Sequence, residues 1–307
     1  MEPQEVRDIL QSAMDGLSKI LLGKEREIRL SLSTFFAGGH LLLEDVPGVG
    51  KTTLAKGLAH VLGLDFMRIQ LTNETLPADI IGTSIYREDV KEFVFVKGPI
   101  FTQILLADEI NRTSPRTQSA LLEAMEEAQV TQDGVTYALP SPFFVVATQN
   151  PIEQAGTQPL PDSQLDRFAM CITLGYPAPE WERRLYRQER GKNVVKVAPV
   201  LEAKGCLEIR ELMKGVEVSD KILDYLLGIV EFSRDSGRFY LGLSPRAGQW
   251  LLRCARVWAF LEGRDFVLPE DIQAVLPWVV NHRLRLSDTF RRLDPDEALE
   301  HFKEVVL

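Results

Sequence analysis

The feature that most constrains this chain is an apolar run that ends in a glycine-containing turn and continues into a helical pattern. Residues 41–43 are three leucines, the turn carries Gly48 and Gly50, and Lys51 opens the helical segment. A strand, a glycine turn and a helix in this order are the context that a phosphate-binding loop requires. The glycines leave room for backbone N–H groups to surround an anion, and the helix dipole attracts it further. This stretch therefore predicts a nucleotide site.

Individual residues of this loop have expected roles in binding the phosphates and Mg²⁺. Lys51 can reach the β- and γ-phosphates, and the hydroxyl of Thr52 can be a ligand of Mg²⁺. Position 45 departs from the strict pattern G-x-x-x-x-G-K-S/T, because it is Asp45 rather than glycine. A carboxylate is tolerable there only if it points away from the phosphates. The alternative is a glycine-rich turn with no ligand. We expect the nucleotide to be bound by Pro47, Gly48, Val49, Gly50, Lys51, Thr52 and Thr53.

Two further apolar runs end in polar side chains. Residues 104–107 lead into Asp108 and Glu109, and residues 143–148 end shortly before Asn150. A buried strand that ends in this way delivers its last side chains to the crevice where open α/β sheets bind ligands. Asp108 is expected to orient Mg²⁺, Glu109 to polarise the attacking water, and Asn150 to hold that water beside the γ-phosphate. The alternatives are an acidic helix cap for the carboxylates and turn chemistry for Asn150.

Composition narrows the class of protein. The 307 residues are enough for two domains, and 45% hydrophobic and 26% charged residues are ordinary for a globular protein. No apolar run reaches about 18 residues, so no membrane span is expected, and the acidic N-terminus does not resemble a secretory signal. Three scattered cysteines fit a reduced, cytoplasmic protein. Acids outnumber bases 44 to 35, giving a net charge of −9, which argues against a protein that coats nucleic acid.

Residues 5–37 have helical periodicity, interrupted by an apolar turn. In many phosphate-loop ATPases a turn in this position packs against adenine, which makes Leu22 and Gly23 candidates for binding the base. Core packing is the alternative. Further along, β-prone arms around turn residues predict hairpins over 86–96 and 130–137, the second from its Asp-Gly turn.

The C-terminal part reads as helical throughout, after a linker-like stretch rich in glycine and proline. Ser244 and Pro245 are a favourable N-cap and first helical residue, so Arg246 projects from a helix N-terminus. We therefore divide the chain into an α/β nucleotide-binding domain, residues 1–176, and a helical domain, residues 177–307.

Several motifs together resemble a known family. The two hairpins are similar to insertions in the AAA+ clade that holds MCM helicases, magnesium chelatase and MoxR proteins. Segments 39–44, 108–112 and 118–125 look specifically like MoxR proteins, and the resemblance covers nearly the whole chain. The order and spacing of four motifs resemble those of AAA+ ATPases: Gly48-Val49-Gly50-Lys51-Thr52, Asp108-Glu109-Ile110-Asn111-Arg112, Ala147-Thr148-Gln149-Asn150-Pro151 and Leu165-Asp166-Arg167-Phe168.

The resemblance implies a fold and roles for three residues. The fold is an AAA+ core with a five-stranded parallel sheet of order 5-1-4-3-2, followed by a C-terminal helical lid. Asn150 matches the family's sensor 1, and Arg167 its arginine finger, which acts on a neighbouring subunit. Arg246 matches sensor 2, which reaches the γ-phosphate from the lid. The alternatives are an Arg167 that pairs with Asp166 or caps a loop, and an Arg246 with surface contacts only.

The function that the resemblance implies is Mg²⁺-dependent hydrolysis of ATP in a ring, most often a hexamer in the family. The ring would remodel, activate or assemble a protein client. Relatives often act with a partner that carries a von Willebrand factor A domain. Two alternatives stay open, a motor subunit of a chelatase and a nucleic-acid motor similar to the MCM helicases. The acidity of the chain and the lack of a separate DNA-binding module argue against the nucleic-acid motor.

Overall fold

The structure, a computed structural model, describes residues 1–89, 91–150, 156–187 and 197–306; Pro151 of the third motif lies outside them. The strands are β1 (Leu41–Glu44), β2 (Phe66–Gln70), β3 (Gly82–Arg87), β4 (Glu92–Lys97), β5 (Ile104–Asp108), β6 (Gln129–Gln132), β7 (Val135–Ala138), β8 (Phe144–Gln149) and β9 (Met170–Ile172). The α-helices are α1 (Pro3–Ile20), α2 (Glu25–Phe36), α3 (Lys51–Val61), α4 (Pro77–Ile81), α5 (Pro115–Glu127), α6 (Asp162–Leu165), α7 (Pro179–Arg187), α8 (Ala203–Lys214), α9 (Asp220–Asp235), α10 (Pro245–Leu261), α11 (Pro269–Val280), α12 (Pro295–His301) and α13 (Lys303–Val306).

Five strands form one parallel sheet in the order β2-β5-β8-β1-β9. Numbered among themselves along the chain, these strands stand in the order 2-3-4-1-5, which is the predicted 5-1-4-3-2 seen from the other edge. The pairing register sets Glu44 beside Gln149 and Gln70 beside Asp108. The carboxyl ends of four neighbouring strands therefore meet at one end of the sheet, where loops can gather polar side chains.

Apolar side chains cover both faces of the sheet. On one face, Leu41 and Leu43 belong to a cluster that includes α1–α3 and the C-terminal helices α8–α11. On the other face, Leu42 packs in a separate cluster with α5. Because N-terminal and C-terminal helices share one core, the predicted domain boundary between residues 176 and 177 does not coincide with a break in apolar packing. The division into two domains stays a prediction.

The predicted helical span near the N-terminus is confirmed as two helices, α1 and α2, with a turn between them. Pro3 stands in the first turn of α1, and Glu5 lies where an acid interacts favourably with the helix dipole. Val6, Leu10 and Leu17 recur at helical spacing and are buried. This periodicity places one face of α1 in the core.

Both predicted hairpins are present. β3 pairs with β4 and β6 with β7, each antiparallel. Asp133 and Gly134 have φ angles of 51° and 77°, as a two-residue type I′ turn requires. The hairpins contact each other through Phe95 and Tyr137, whose stacked rings have centroids 4.4 Å apart.

The described part of the C-terminal region is helical, as expected. Ser244 caps α10, because its Oγ accepts the N–H of Ala247 at 3.0 Å, and Pro245 is the first helical residue. The three cysteines are free and buried. Within the described ranges, no helix combines the length and the apolar character needed to cross a membrane.

Candidate nucleotide site

The loop after β1 has the backbone that an anion-binding turn requires. Gly48 and Gly50 have φ angles of 87° and 110°, a region that L side chains rarely adopt. A Cβ on Gly48 would meet no atom within 4 Å, so the conformation rather than crowding explains the glycine there. Nζ of Lys51 donates to the carbonyl oxygen of Asp45 at 2.7 Å. This bond folds the lysine back across the turn.

The carboxylate of Asp45 is turned toward the connection between β9 and α7. Its Oδ1 accepts the N–H of Val46 at 2.8 Å, and its Oδ2 accepts the N–H of Gly175 at 2.7 Å. The side chain is buried. The condition for an acid at this position, that it point away from the phosphates, is therefore met. The second bond also ties the loop to the residues that lead into the C-terminal helices.

A cavity of about 320 Å³ opens beside this loop. Val49 is not part of its lining, because its side chain is packed in the core. The lining comes from the loop, α3 and the ends of β2, β5 and β8: Pro47, Gly48, Gly50, Lys51, Thr52, Thr53, Arg68, Gln70, Asp108, Glu109, Thr148 and Asn150. The structure thus brings the predicted loop, the two carboxylates and the amide together.

The turn proposed to bind adenine has a different neighbour. A Cβ on Gly23 would lie 2.3 Å from Cδ1 of Trp181, so the indole on α7 covers this glycine. Leu21 is the residue of the turn that approaches the loop, with Cδ1 3.1 Å from the position of a Cβ on Gly50. Neither Leu22 nor Gly23 is among the lining residues of the cavity. Their contact with the base stays a prediction.

Asp108 and Glu109 are held by different partners. Nε of Arg68 donates to Oδ2 of Asp108 at 2.7 Å, and the hydroxyl of Thr148 donates to Oδ1 at 3.1 Å. Glu109 has a left-handed backbone, φ 59° and ψ 50°, which costs a non-glycine residue on the order of 1 kcal/mol. Its N–H donates to Oγ1 of Thr148 at 3.0 Å, and Nε of Arg112 lies 3.1 Å from its Oε2. The two adjacent carboxylates therefore lie in the same site but have different polar partners.

Arg68, Gln70 and Thr148 line the cavity but were not among the predicted site residues. The alternation of polar and apolar residues in β2 was visible in the sequence. The strand order that the resemblance implies places β2 beside β5, but the sequence could not show the pairing register, which sets Gln70 opposite Asp108. That register brings Arg68 within hydrogen-bond distance of Asp108.

Arg167 and Arg246 lie together in a second cavity, of about 240 Å³. Nη2 of Arg167 is 3.3 Å from Oε2 of Glu126, and Nη2 of Arg246 donates to Oε1 of the same carboxylate. This cavity shares no lining residue with the cavity beside the phosphate loop. Within one subunit, neither arginine therefore lines the cavity that holds Lys51 and Glu109.

Asp166 connects the segments that carry these two arginines. Its Oδ1 accepts Nε–H of Arg283 at 2.7 Å, and its Oδ2 accepts the hydroxyl of Ser244 at 2.9 Å. Burial lowers the pKa of Arg283, and the carboxylate of Asp166 opposes that shift. The alternative in which Arg167 pairs with Asp166 is wrong, because Arg167 pairs with Glu126. Asp166 instead fixes the loop before β9 to the N-terminus of α10.

The parallel sheet, the loop and the two strand-end carboxylates define a class, the AAA+ ATPases with a phosphate-binding loop. Two family models agree: the ATPase family associated with various cellular activities (AAA) matches residues 40–170, and the AAA lid domain matches residues 231–301. Within this class the chain belongs to the MoxR family, and it is an ATPase. It is 40% identical over 288 residues to the chaperone MoxR1 of Mycobacterium tuberculosis, which covers 91% of this chain and 76% of that protein.

Two further comparisons extend over most of the chain. The uncharacterized protein YeaC of Bacillus subtilis is 44% identical over 284 residues, 92% of this chain and 89% of YeaC. A solved structure of a candidate ATPase from Cytophaga hutchinsonii matches with a TM-score of 0.87 at 38% identity, covering 99% of this chain and 94% of that chain. The magnesium-chelatase subunit ChlI of Chlamydomonas reinhardtii is more distant, at 28% identity over 66% of this chain and 48% of that protein.

Proposed function

We propose that this chain hydrolyses ATP with Mg²⁺ between neighbouring copies of itself in a ring, a hexamer, and that turnover remodels, activates or assembles a protein client. The observation that carries the proposal is the separation of the site into two cavities, one with Lys51 and Glu109 and one with Arg167 and Arg246. Phosphoryl transfer needs cations near the γ-phosphate, where charge builds up in the transition state. The arginines of one copy would supply these cations to the loop of the next.

The residues of the first cavity divide the work of hydrolysis. The N–H groups of the loop and Nζ of Lys51 bind the β- and γ-phosphates. Asn150 orients the attacking water, and the carboxylate of Glu109 accepts a proton from it. Arg112 pairs with Oε2 of this carboxylate. This ion pair has to break when the water approaches.

The donor set of the cavity fits Mg²⁺. The hydroxyl of Thr52 and the carboxylate of Asp108 line the same space, and oxygen atoms are the ligands that this cation prefers. Both oxygens of Asp108 already accept hydrogen bonds, from Arg68 and Thr148, which favours an interaction through water molecules. When bound, Mg²⁺ neutralises charge on the phosphate oxygens.

Two observations support a protein client. A relative over most of the chain is named a chaperone, and the β3–β4 hairpin carries an aromatic pair, Tyr86 and Phe93. Their ring centroids are 5.4 Å apart, and both side chains are more than half exposed. Exposed aromatic residues on a hairpin edge are available to an extended polypeptide. A cytoplasmic location rests on the three free cysteines, and a partner with a von Willebrand factor A domain rests on the family resemblance.

The loop assignment is tested by Lys51→Ala, with Lys56→Ala as the matched control. Lys56 lies on the same helix, but its Nζ is 6.0 Å from the ring centroid of Phe66. Calorimetry should show loss of tight ATP binding in Lys51→Ala, because the phosphates lose their cation, and unchanged binding in the control. Equal ATP affinity in both variants would remove the loop from the nucleotide site.

Action between subunits is tested by mixing two inactive variants. Arg167→Ala should slow hydrolysis by about 10³ or more, the scale of a lost arginine finger, and Lys51→Ala should also be nearly inactive. In mixed rings some interfaces join an intact loop to an intact Arg167, so ATPase activity should partly return. Native mass spectrometry can establish that mixed rings form. If they form and no activity returns, Arg167 does not act on a neighbour.

A further inference from the structure

A cavity of about 530 Å³ lies between the end of α2 and the helices α8 and α10. Its lining includes four cations, Arg210, Lys214, Arg253 and Arg256, and one acid, Glu211. The acid is already engaged, since its Oε1 accepts from Nζ of Lys214 at 2.6 Å. Across residues 1–89, 91–150, 156–187 and 197–306, the three arginines form no ion pair. The chain as a whole has a net charge of −9, so this local excess of positive charge requires a physical reason.

Three guanidinium nitrogen atoms in this cavity are buried without a hydrogen-bond partner among the described residues. Nε and Nη2 of Arg210 and Nε of Arg256 have no hydrogen-bond partner in the described part of the chain. Buried donors in native proteins are nearly always paired. Burial lowers the pKa of Arg210 to about 10, so this side chain still carries its charge at neutral pH. An anion in the cavity would satisfy both the charge and the donors.

Aromatic rings hold two of these arginines in place. The guanidinium carbon of Arg210 lies 4.4 Å from the ring centroid of Phe35, and that of Arg253 lies 5.2 Å from the ring of Trp250. Stacking of this kind fixes the plane of a guanidinium group without occupying its N–H donors. The donors therefore remain available to a ligand.

Charge and lining indicate the ligand class. The four cations and one acid leave an excess of three positive charges, which balances a phosphate group better than a single carboxylate. Guanidinium forks also match the geometry of phosphate oxygens. Phe36, Met213 and Val257 add apolar surface, and the volume falls within the range of small-molecule sites. These properties suit a phosphate attached to an apolar body.

We propose that this cavity binds a small organic phosphate at a site separate from the phosphate loop. The cavity joins a helix that precedes β1 to two C-terminal helices, and it shares Gly38 and Arg253 with the cavity of Arg167 and Arg246. A ligand there holds α8 and α10 against α2 and changes the surroundings of the two arginines.

Phenyl phosphate is the probe, and Lys51→Ala is the background that silences the phosphate loop. Calorimetry should show saturable binding with a dissociation constant below about 1 mM. Adding Arg210→Gln and Arg256→Gln should weaken binding by at least about tenfold. Lys204→Gln, at an exposed position on the same helix α8, is the matched control and should leave binding unchanged. Without the probe, the double arginine variant should unfold at no lower temperature than the control, because it removes buried N–H donors that have no hydrogen-bond partner in the ranges described.

Four results would overturn the proposal. The first is equal binding of phenyl phosphate with and without the two arginines, or no saturation up to about 10 mM. The second is phenylacetate binding as tightly as phenyl phosphate, which would reassign the cavity to carboxylates. The third is inorganic phosphate binding as tightly, which would remove the role of the apolar lining. The fourth is loss of self-association in the double variant without any response to the probe, which would mean that the cavity receives an acidic side chain of a second copy.

Discussion

Removing one partner of the ion pair between Asp166 and Arg283 should strongly destabilise the fold, and Asp166→Asn tests this. Nε and Oδ1 are 2.7 Å apart, and the two side chains are only 22% and 4% exposed. Breaking a buried pair by removing one partner costs about 3–5 kcal/mol, since it leaves an uncompensated buried charge. Arg283 keeps the carbonyl oxygens of Phe168 and Ala169 as acceptors. We therefore expect a loss near the lower end, about 3 kcal/mol.

Urea unfolding followed by tryptophan fluorescence measures this loss. All four tryptophans follow residue 176, in the same part of the chain as Arg283, so their fluorescence reports its unfolding. Asp162→Asn is the matched control. Asp162 pairs with Arg285 at 3.4 Å, but the side chains are 45% and 34% exposed, so its loss should cost under about 1 kcal/mol. Combining Asp166→Asn with Arg283→Met should restore part of the stability, because the unpaired charge is removed. An effect of Asp166→Asn no larger than that of the control would refute this reasoning.

Two other predictions concern the chemistry and the pH dependence. Glu109→Gln keeps the size of the side chain but removes the proton acceptor, so ATP should bind while phosphate release slows by roughly two or more orders of magnitude; normal turnover would mean that another group activates water. Burial lowers the pKa of His40 from 6.5 to about 4. The contribution of neutral His40 to the free energy of unfolding should therefore be fully present above pH 6.5. It should be lost as the pH falls toward 4, by up to about 3 kcal/mol. Urea unfolding at several pH values measures this, and an equally steep profile for His40→Gln would contradict it.

Local sequence features predicted most of the fold. The leucines of β1, the Asp133-Gly134 turn and the Ser244 cap each depend on residues a few positions apart, where alternation, turn type or capping geometry leaves little choice. The order of the central strands came from the family resemblance rather than from any local pattern. Together, the local patterns and the resemblance were sufficient to place Lys51 and Glu109 at the same end of the sheet.

Contacts between residues that are far apart along the chain could not be predicted from the sequence. The direction of Asp45 depends on Gly175, which lies 130 positions away. Nothing local specifies which of the 44 acids pairs with Arg246, and the answer, Glu126, is 120 positions away. Trp181 covers Gly23 for the same reason, because packing of α7 rather than any motif brings it there. The second cavity consists of such contacts, so the grouping of its arginines could not be predicted.

The carboxylate of Glu126 could compete with phosphate for the arginines or position them for the reaction, and Glu126→Gln distinguishes the two roles. One oxygen faces Arg167 and the other Arg246. If both arginines leave Glu126 to contact a neighbour's γ-phosphate, the ion pairs stabilise the separated subunit. Removing the charge of Glu126 then favours contact of the arginines with the neighbour's nucleotide. The side chains are between 31% and 41% exposed, so each pair contributes under about 1 kcal/mol. Losing both pairs in Glu126→Gln should therefore lower the protein concentration for half-maximal ATPase activity, by up to about 30-fold.

Maximal turnover of Glu126→Gln should stay at the wild-type level, as should that of Glu127→Gln, an adjacent exposed control. A fall of about tenfold or more in maximal turnover, at an unchanged half-maximal concentration, would instead mean that the carboxylate positions the arginines. The magnitudes favour competition. A partly exposed carboxylate holds guanidinium groups weakly, whereas a γ-phosphate at a subunit interface offers more negative charge in a lower dielectric. Arg167 and Arg246 should therefore exchange Glu126 for the neighbour's nucleotide when a ring forms.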